Sequence, residues 1–234
     1  FWSIHSPIET ISFNTVEGWN GTLRATISKE KSRDDAREWK LEGNLRYGLS
    51  NTHWNPSIHF YNLYNTKSQS SIHVYGGSEV LQFNRSNPIT PLTNALYSLY
   101  ARKNYMKIFQ QQYLRLEHRS ELTNGFAAGV FLEYAHREPL RNTTDYAFKV
   151  AGKERKYTSN DPLNPVTDEN AFPANDLLEV TLRTRFIFGQ QFITRPEGKY
   201  IIGSDLPILR LQYRKAIPLD DLSPDFDEWR ASLE

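Results

Sequence analysis

The sequence predicts an all-β protein: an antiparallel meander of at least eight strands in a single domain over 1–234, with one short helix in a connection. Two observations carry this. Segment after segment alternates apolar and polar residues at the two-residue period of a strand, so each has one oily and one charged face. Clusters rich in Asn, Asp, Ser, Gly and Pro separate those segments where turns belong.

The first strand is expected over about 16–28, with Trp19, Gly21, Leu23, Ala25 and Ile27 on one face and Asn20, Thr22, Arg24, Thr26 and Ser28 on the other. The second covers 39–50, where Trp39, Leu41, Leu45, Tyr47 and Leu49 alternate with Lys40, Glu42, Asn44 and Arg46. The charged stretch "KEKSRDDAR" lies between them as a turn. If paired positions sum to 66, Ile27 opposes Trp39, Ala25 opposes Leu41 and Trp19 opposes Tyr47. Arg24 then faces Glu42, and both faces agree with one hairpin register. Strands three and four, about 56–64 and 70–80, flank "NTKSQ". A sum of 132 there sets Ile58 against Val74 and Phe60 against Ile72. Strands five and six, about 111–120 and 126–136, flank "TNG", a strong short-turn signal. The seventh is "LLEVTLRTRFIF" (177–188) and the eighth "PILRLQYR" (207–214).

Two stretches interrupt the meander. A helix is expected over 91–102, with Thr90 as N-cap, Pro91 at the first helical position and apolar Leu92, Leu96 and Leu99. Residues 137–176 read as a forty-residue loop rich in Asn, Asp, Pro and Thr, a length more typical of functional or disordered segments than of simple connections.

Composition excludes several function classes. Lys and Arg number 28 against 27 Asp and Glu, a net charge of +1, so no clustered positive charge points to nucleic acid. The chain has no cysteine, which removes disulfides, thiolate metal sites and Cys nucleophiles. No apolar run approaches the roughly 18–20 residues of a membrane-spanning helix. A mean hydropathy of −0.63 suggests a water-soluble chain, but membrane barrels hide their apolar signal in alternation and score as polar. The chain starts at Phe1 with no visible signal peptide, and reads as an internal piece of a longer protein.

The oily face therefore meets either a protein core, in a soluble β-sandwich that binds a ligand through its loops, or lipid, in a transmembrane β-barrel. Three features favour lipid: an aromatic-ended stripe of suitable height, long charged side chains on the polar faces, and sharply unequal connections, short near 50–55 and 122–125 and very long elsewhere. Aromatic Trp19, Trp39 and Tyr47 sit at the ends of the oily stripe, as a girdle would. Eight residues at ~3.3 Å each, tilted ~40°, give roughly 20 Å of height, close to a lipid-facing band. The polar faces carry long charged side chains suited to a watery lumen: Arg24, Glu42, Arg46, Arg183, Arg185, Arg210 and Arg214 are the candidate lumen-facing residues, either structural or selective. The last four could crowd one wall and favour anions, or pair with Glu179 and other carboxylates.

Five stretches, "SFNTVEGWNG" (12–21), "LRYGLSNTHWN" (45–55), "NYMKIF" (104–109), "LRNTTDY" (140–146) and "FITRPEGKY" (192–200), resemble in order a family of Bacteroidota outer-membrane proteins. That family carries an N-terminal carboxypeptidase-regulatory-like domain followed by a domain of unknown function forming an outer-membrane β-barrel. The resemblance implies that this chain is a fragment of the barrel part, placed in the bacterial outer membrane. Its partners would be outer-membrane lipid and other outer-membrane proteins or lipoproteins. The regulatory-like domain's name concerns its fold and implies no peptidase.

Little else points to chemistry. In the 132 register His59 and His73 lie opposite each other, a possible Zn²⁺ pair, but Glu79 is too far along to be a third ligand. Paired polar residues are the plainer reading, and no metal or cofactor is expected. No nucleophile elbow is present. "NTTDY" and "TRPEGKY" read as turn chemistry, or as a docking surface. The function expected is that of a non-enzymatic outer-membrane β-barrel, acting in transport or as a component of an envelope protein assembly.

Overall fold

The computed structural model describes residues 1–29, 37–84, 87–148, 156–164, 166, 172–195 and 198–234. Every alternating segment is a strand, in several cases longer than the pattern alone required. In chain order the strands are β1 (Trp2–His5), β2 (Ser12–Asn14), β3 (Gly18–Lys29), β4 (Glu38–Gly48), β5 (His53–Asn65), β6 (Ser70–Gln82) and β7 (Ile108–Thr123). They continue with β8 (Phe126–Pro139), β9 (Asn175–Ile187), β10 (Gln191–Arg195), β11 (Gly198–Gly203), β12 (Ile208–Ile217) and β13 (Phe226–Leu233). One helix, α1 (Pro91–Ala101), interrupts the β6–β7 connection; the Thr90 side chain caps it by accepting from Thr93 N at 3.2 Å.

The strands form an antiparallel meander in the order β1-β3-β4-β5-β6-β7-β8-β9-β12-β13, with β2 also paired to β3 and β10–β11 a separate hairpin. β1 and β2 together make one interrupted edge strand along β3. Where Pro7–Thr10 bulges away as a 3-10 turn, the Thr10 hydroxyl donates to Thr22 O and accepts from Thr22 N, both at 2.8 Å, and so replaces the missing ladder rung.

Two expected registers shift by two residues. In β3–β4 paired positions sum to 68: Ile27 opposes Leu41, Ala25 opposes Gly43, Tyr47 opposes Gly21 and Arg24 opposes Asn44. In β5–β6 they sum to 134, so Phe60 opposes Val74 and Ile58 opposes Gly76. Alternation fixes a register only modulo two, since a two-residue slip keeps every side chain on its face. The β5–β6 slip has a local cause. A bulge between Leu63 and Asn65 lengthens β5, and the Asn65 side chain closes the turn by accepting from Lys67 N and Ser68 N.

The sheet is inside-out relative to a water-soluble one. On the apolar face, mid-strand Ile58, Leu114 and Val130 are 50%, 52% and 49% exposed. On the charged face of β7 and β9, Gln111, Glu117 and Thr181 are buried. The charged face is concave. Glu38 and Tyr61 near one end of the strand order and Arg230 and Ser232 on β13 line the same cavity of about 990 Å³. Among the described residues no second sheet packs on the apolar face.

The apolar stripe runs obliquely to the hydrogen-bonded rows. One row starts with Leu23 and Leu45 on β3 and β4 and ends with Gln112, His136 and Asp176 on β7, β8 and β9. A row nearer the other end starts with Lys29 and ends with Val130, Leu182, Tyr213 and Trp229. The apolar layer therefore crosses the strands at an angle.

Candidate functional site

The chemistry of the molecule lies on the concave face and in a cap of connections at one of its ends. All seven lumen candidates lie on the charged face, as their alternation required. Arg24 donates from Nε to Asn44 Oδ1 at 2.8 Å and still reaches Glu42, 3.5 Å away on the diagonal, so the register shift changed its neighbour without breaking the pair. Arg46 grips Glu17 with Nε at 2.7 Å from Oε1. Arg214 spans two strands: Nη2 lies 2.7 Å from Glu179 on β9 and Nη1 2.7 Å from Glu228 on β13. Arg183 donates to Gln212 at 2.9 Å and lies 4.1 Å over the Phe131 ring. Arg185 and Arg210 oppose each other across β9–β12, and Arg210 pairs with Glu234 at 2.9 Å.

The polar-face alternation also marks Arg115 and Glu117 but misses Arg119 and Arg230, and these four join Glu133 and Glu179 in a charged floor. β7 and β13 carry the missing members, and only their cross-strand neighbours reveal them.

The girdle candidates lie on the opposite face. Tyr47 packs on Trp54 with ring centroids 4.3 Å apart, and Trp19 meets Phe13 of β2 edge-on at 5.5 Å. Trp39 opposes Asn62 on β5.

His59 and His73 are diagonal rather than directly opposed, His59 facing Tyr75 and His73 facing Tyr61. Their rings still stack, with Nε2 of His59 3.1 Å from Nδ1 of His73, and the Tyr75 ring lies 4.0 Å from that of His59. Glu79 is six residues beyond His73 on the same strand, roughly 20 Å away. Among the described residues no group of three or more His, Cys, Asp or Glu side chains forms a metal-binding cluster.

The cap gathers stretches whose one motif with a sequence reading, "NTTDY", is expected as turn chemistry or a docking surface. Asn14 Oδ1 accepts from Val16 N and Glu17 N at 2.9 and 2.7 Å, an Asx turn that aims the fully buried Glu17 at Arg46. Thr143 Oγ1 donates to Val16 O and Thr143 N donates to Thr15 O, locking residues 142–144 onto this turn. Ser50 joins both: its N donates to Glu17 O and its Oγ to Thr143 O. Buried Asn94 of α1 accepts from Tyr105 N and Met106 N, and Asn160 bridges Ile108 and Leu140. On α1 the buried face is Asn94, Ala95, Ser98 and Leu99, against Phe13 of β2; Leu92 and Leu96, expected as the apolar face, are exposed. Tyr157 donates to the carbonyls of Ser98 and Tyr146, and burial pushes its hydroxyl up to about 12, Arg102 opposing and Asp145 adding to the rise.

Four of the five stretches that carried the resemblance thus meet in one cap. The described part of the fifth sits at the far end of the sheet, where Lys199 pairs with Glu121 at 2.6 Å and its N donates to Thr66 O. The model of the C-terminal domain of a family of unknown function, DUF5686, matches residues 1–234. The chain belongs to that family. No curated protein and no solved structure matches it. The match to this DUF5686 domain covers the strands as well as the cap.

Proposed function

We propose that this chain is wall and cap of a non-enzymatic β-barrel in the bacterial outer membrane, acting in transport or as a component of an envelope protein assembly. The observation that carries the reading is the exposed, oblique apolar stripe. A soluble sandwich needs a second sheet over residues such as Ile58, Leu114 and Val130, and burying them in lipid serves the same end. The obliqueness follows if the strands tilt against a flat membrane. The row from Trp2 through Leu41, Val74 and Leu132 ends in the Lys215–Asp227 pair on β12–β13. Its nine strand-to-strand steps of ~4.8 Å, at a ~40° tilt, climb roughly 28 Å, close to the height of a lipid-facing band. Trp2 and the ion pair then fall at opposite borders.

The resemblance supplies the finer reading. It is that of a Bacteroidota protein with an N-terminal carboxypeptidase-regulatory-like domain and a barrel working beside other outer-membrane proteins or lipoproteins. The filled cap favours an assembly role, and the cavity on the concave face favours transport. Fractionation of the native protein, with gels run boiled and unboiled, tests the barrel. An outer-membrane pool with heat-dependent migration is expected, and a soluble pool without it refutes the reading. Co-purification and single-channel conductance then separate the two roles.

A further inference from the structure

Along most of the concave face each arginine has a carboxylate. Arg46 has Glu17, Arg115 has Glu133, Arg119 has Glu117, and Arg214 lies between Glu179 and Glu228. The pairing stops on β9. Arg183 is bonded only to neutral Gln212 and an aromatic face, and Arg185 has no polar partner among the described residues. Arg210, directly across from Arg185, has only Glu234, whose side chain is 58% exposed.

The room beside them is equally specific. β8 opposes Arg183 with Gly129 and Arg185 with Ala127; the Arg119 and Phe131 side chains lie over Gly129, and Ala127 leaves the flank of Arg185 with only a methyl group directly across the ladder. The three guanidiniums line the cavity of about 990 Å³ together with Phe131, Leu63 and Ile201. The carboxylates that also line it are already engaged: Glu38 accepts from the Tyr61 hydroxyl at 2.9 Å, and Glu121 is held by Lys199 and Gln190. Three adjacent cations that share one exposed carboxylate, Glu234, repel one another. Guanidinium forks match phosphoryl oxygens in geometry and charge. An apolar lining beside such forks suits a ligand with an apolar part.

We propose that Arg183, Arg185 and Arg210 bind a phosphorylated organic molecule in this cavity. Its phosphoryl oxygens accept from the guanidinium groups and its apolar part lies against Phe131, Leu63 and Ile201. The inference rests on the concave face alone and holds whichever medium covers the outer one. The phosphoryl group could belong to a lipid headgroup or to a soluble phosphate ester, and the test separates them.

The purified full chain is titrated calorimetrically with inorganic pyrophosphate, with a short-chain phosphatidic acid below its micelle concentration, and with the matching phosphatidylcholine. Saturable binding of pyrophosphate or phosphatidic acid but not of phosphatidylcholine is expected. Arg183→Gln and Arg185→Gln should each weaken it roughly tenfold or more, the loss of one charge-assisted contact. Arg141→Gln, on the cap, should leave it unchanged, and Arg185→Lys, which keeps the charge, should fall between. Comparable binding of both probes assigns a soluble phosphate, and binding of phosphatidic acid alone assigns a lipid headgroup. Absence of saturable binding to either probe, or equal weakening by Arg141→Gln and Arg185→Gln, overturns the proposal.

Discussion

Leu116→Arg offers a quantitative test of which medium the apolar face meets. Leu116 lies near the middle of β7, flanked by Val74 on β6 and Leu132 on β8, and is 40% exposed. An arginine at the midplane of a lipid-facing band costs about 2–4 kcal/mol, falling to about 0–1 kcal/mol near the interfaces. At a half-exposed site in water the same change stays within about 0.5 kcal/mol. Asn62→Arg, on the same face but in the row that starts with Lys29 and Trp39, sits nearer a border and should cost about 0–1 kcal/mol. Reversible denaturant unfolding from lipid vesicles reads both numbers, with unchanged m-values as the check that only stability moved. A Leu116→Arg cost no larger than that of Asn62→Arg would refute the argument.

Other expectations follow from the cap and the ladder. Glu17→Ala leaves Arg46 unpaired beside a buried turn and should cost about 3 kcal/mol; Glu17→Gln, which keeps the amide in contact with Asn14, should cost less, as read from the temperature at which the gel shift is lost. Gly77 has φ +132° and a Cβ there would sit 2.2 Å from Pro56 O, so Gly77→Ala should cost about 2 kcal/mol or more in the same assay. The raised Tyr157 hydroxyl stabilises the fold fully below its unfolded value near 10, and that stability is lost as pH rises through about 12. Tyr157→Phe should reduce the alkaline slope by this one group's share, measured by unfolding at pH 9 to 12.

How much of this was legible in the sequence divides along physical lines. Alternation gave β3 to β9 and β12 their positions and faces, because a buried charged face and an exposed oily one both demand period two. It left registers open by two residues, since only turn and bulge geometry such as that at Asn65 decides between equivalent slips. β1, β2, β10, β11 and β13 escaped notice because they are short or lack a long apolar run. The helix start was readable from Thr90 and Pro91, whereas its buried face was not, because Asn94 and Ser98 are buried by hydrogen bonding rather than by oiliness. The cap could not be derived at all. Thr143 and Asn160 are ordinary turn residues until partners more than fifty positions away come into contact, and so is Glu17 until Arg46 of another strand reaches it.

The absence of cysteine makes the most direct measurement simple. Single cysteines placed in turn at 114 to 118 on β7, each carrying a spin label in vesicles, report access to oxygen from lipid and to a polar nickel chelate from water. The account predicts oxygen access at 114, 116 and 118 and chelate access or occlusion at 115 and 117, alternating with period two. High chelate access at 114 and 116 would contradict it, because the apolar face would then be meeting water.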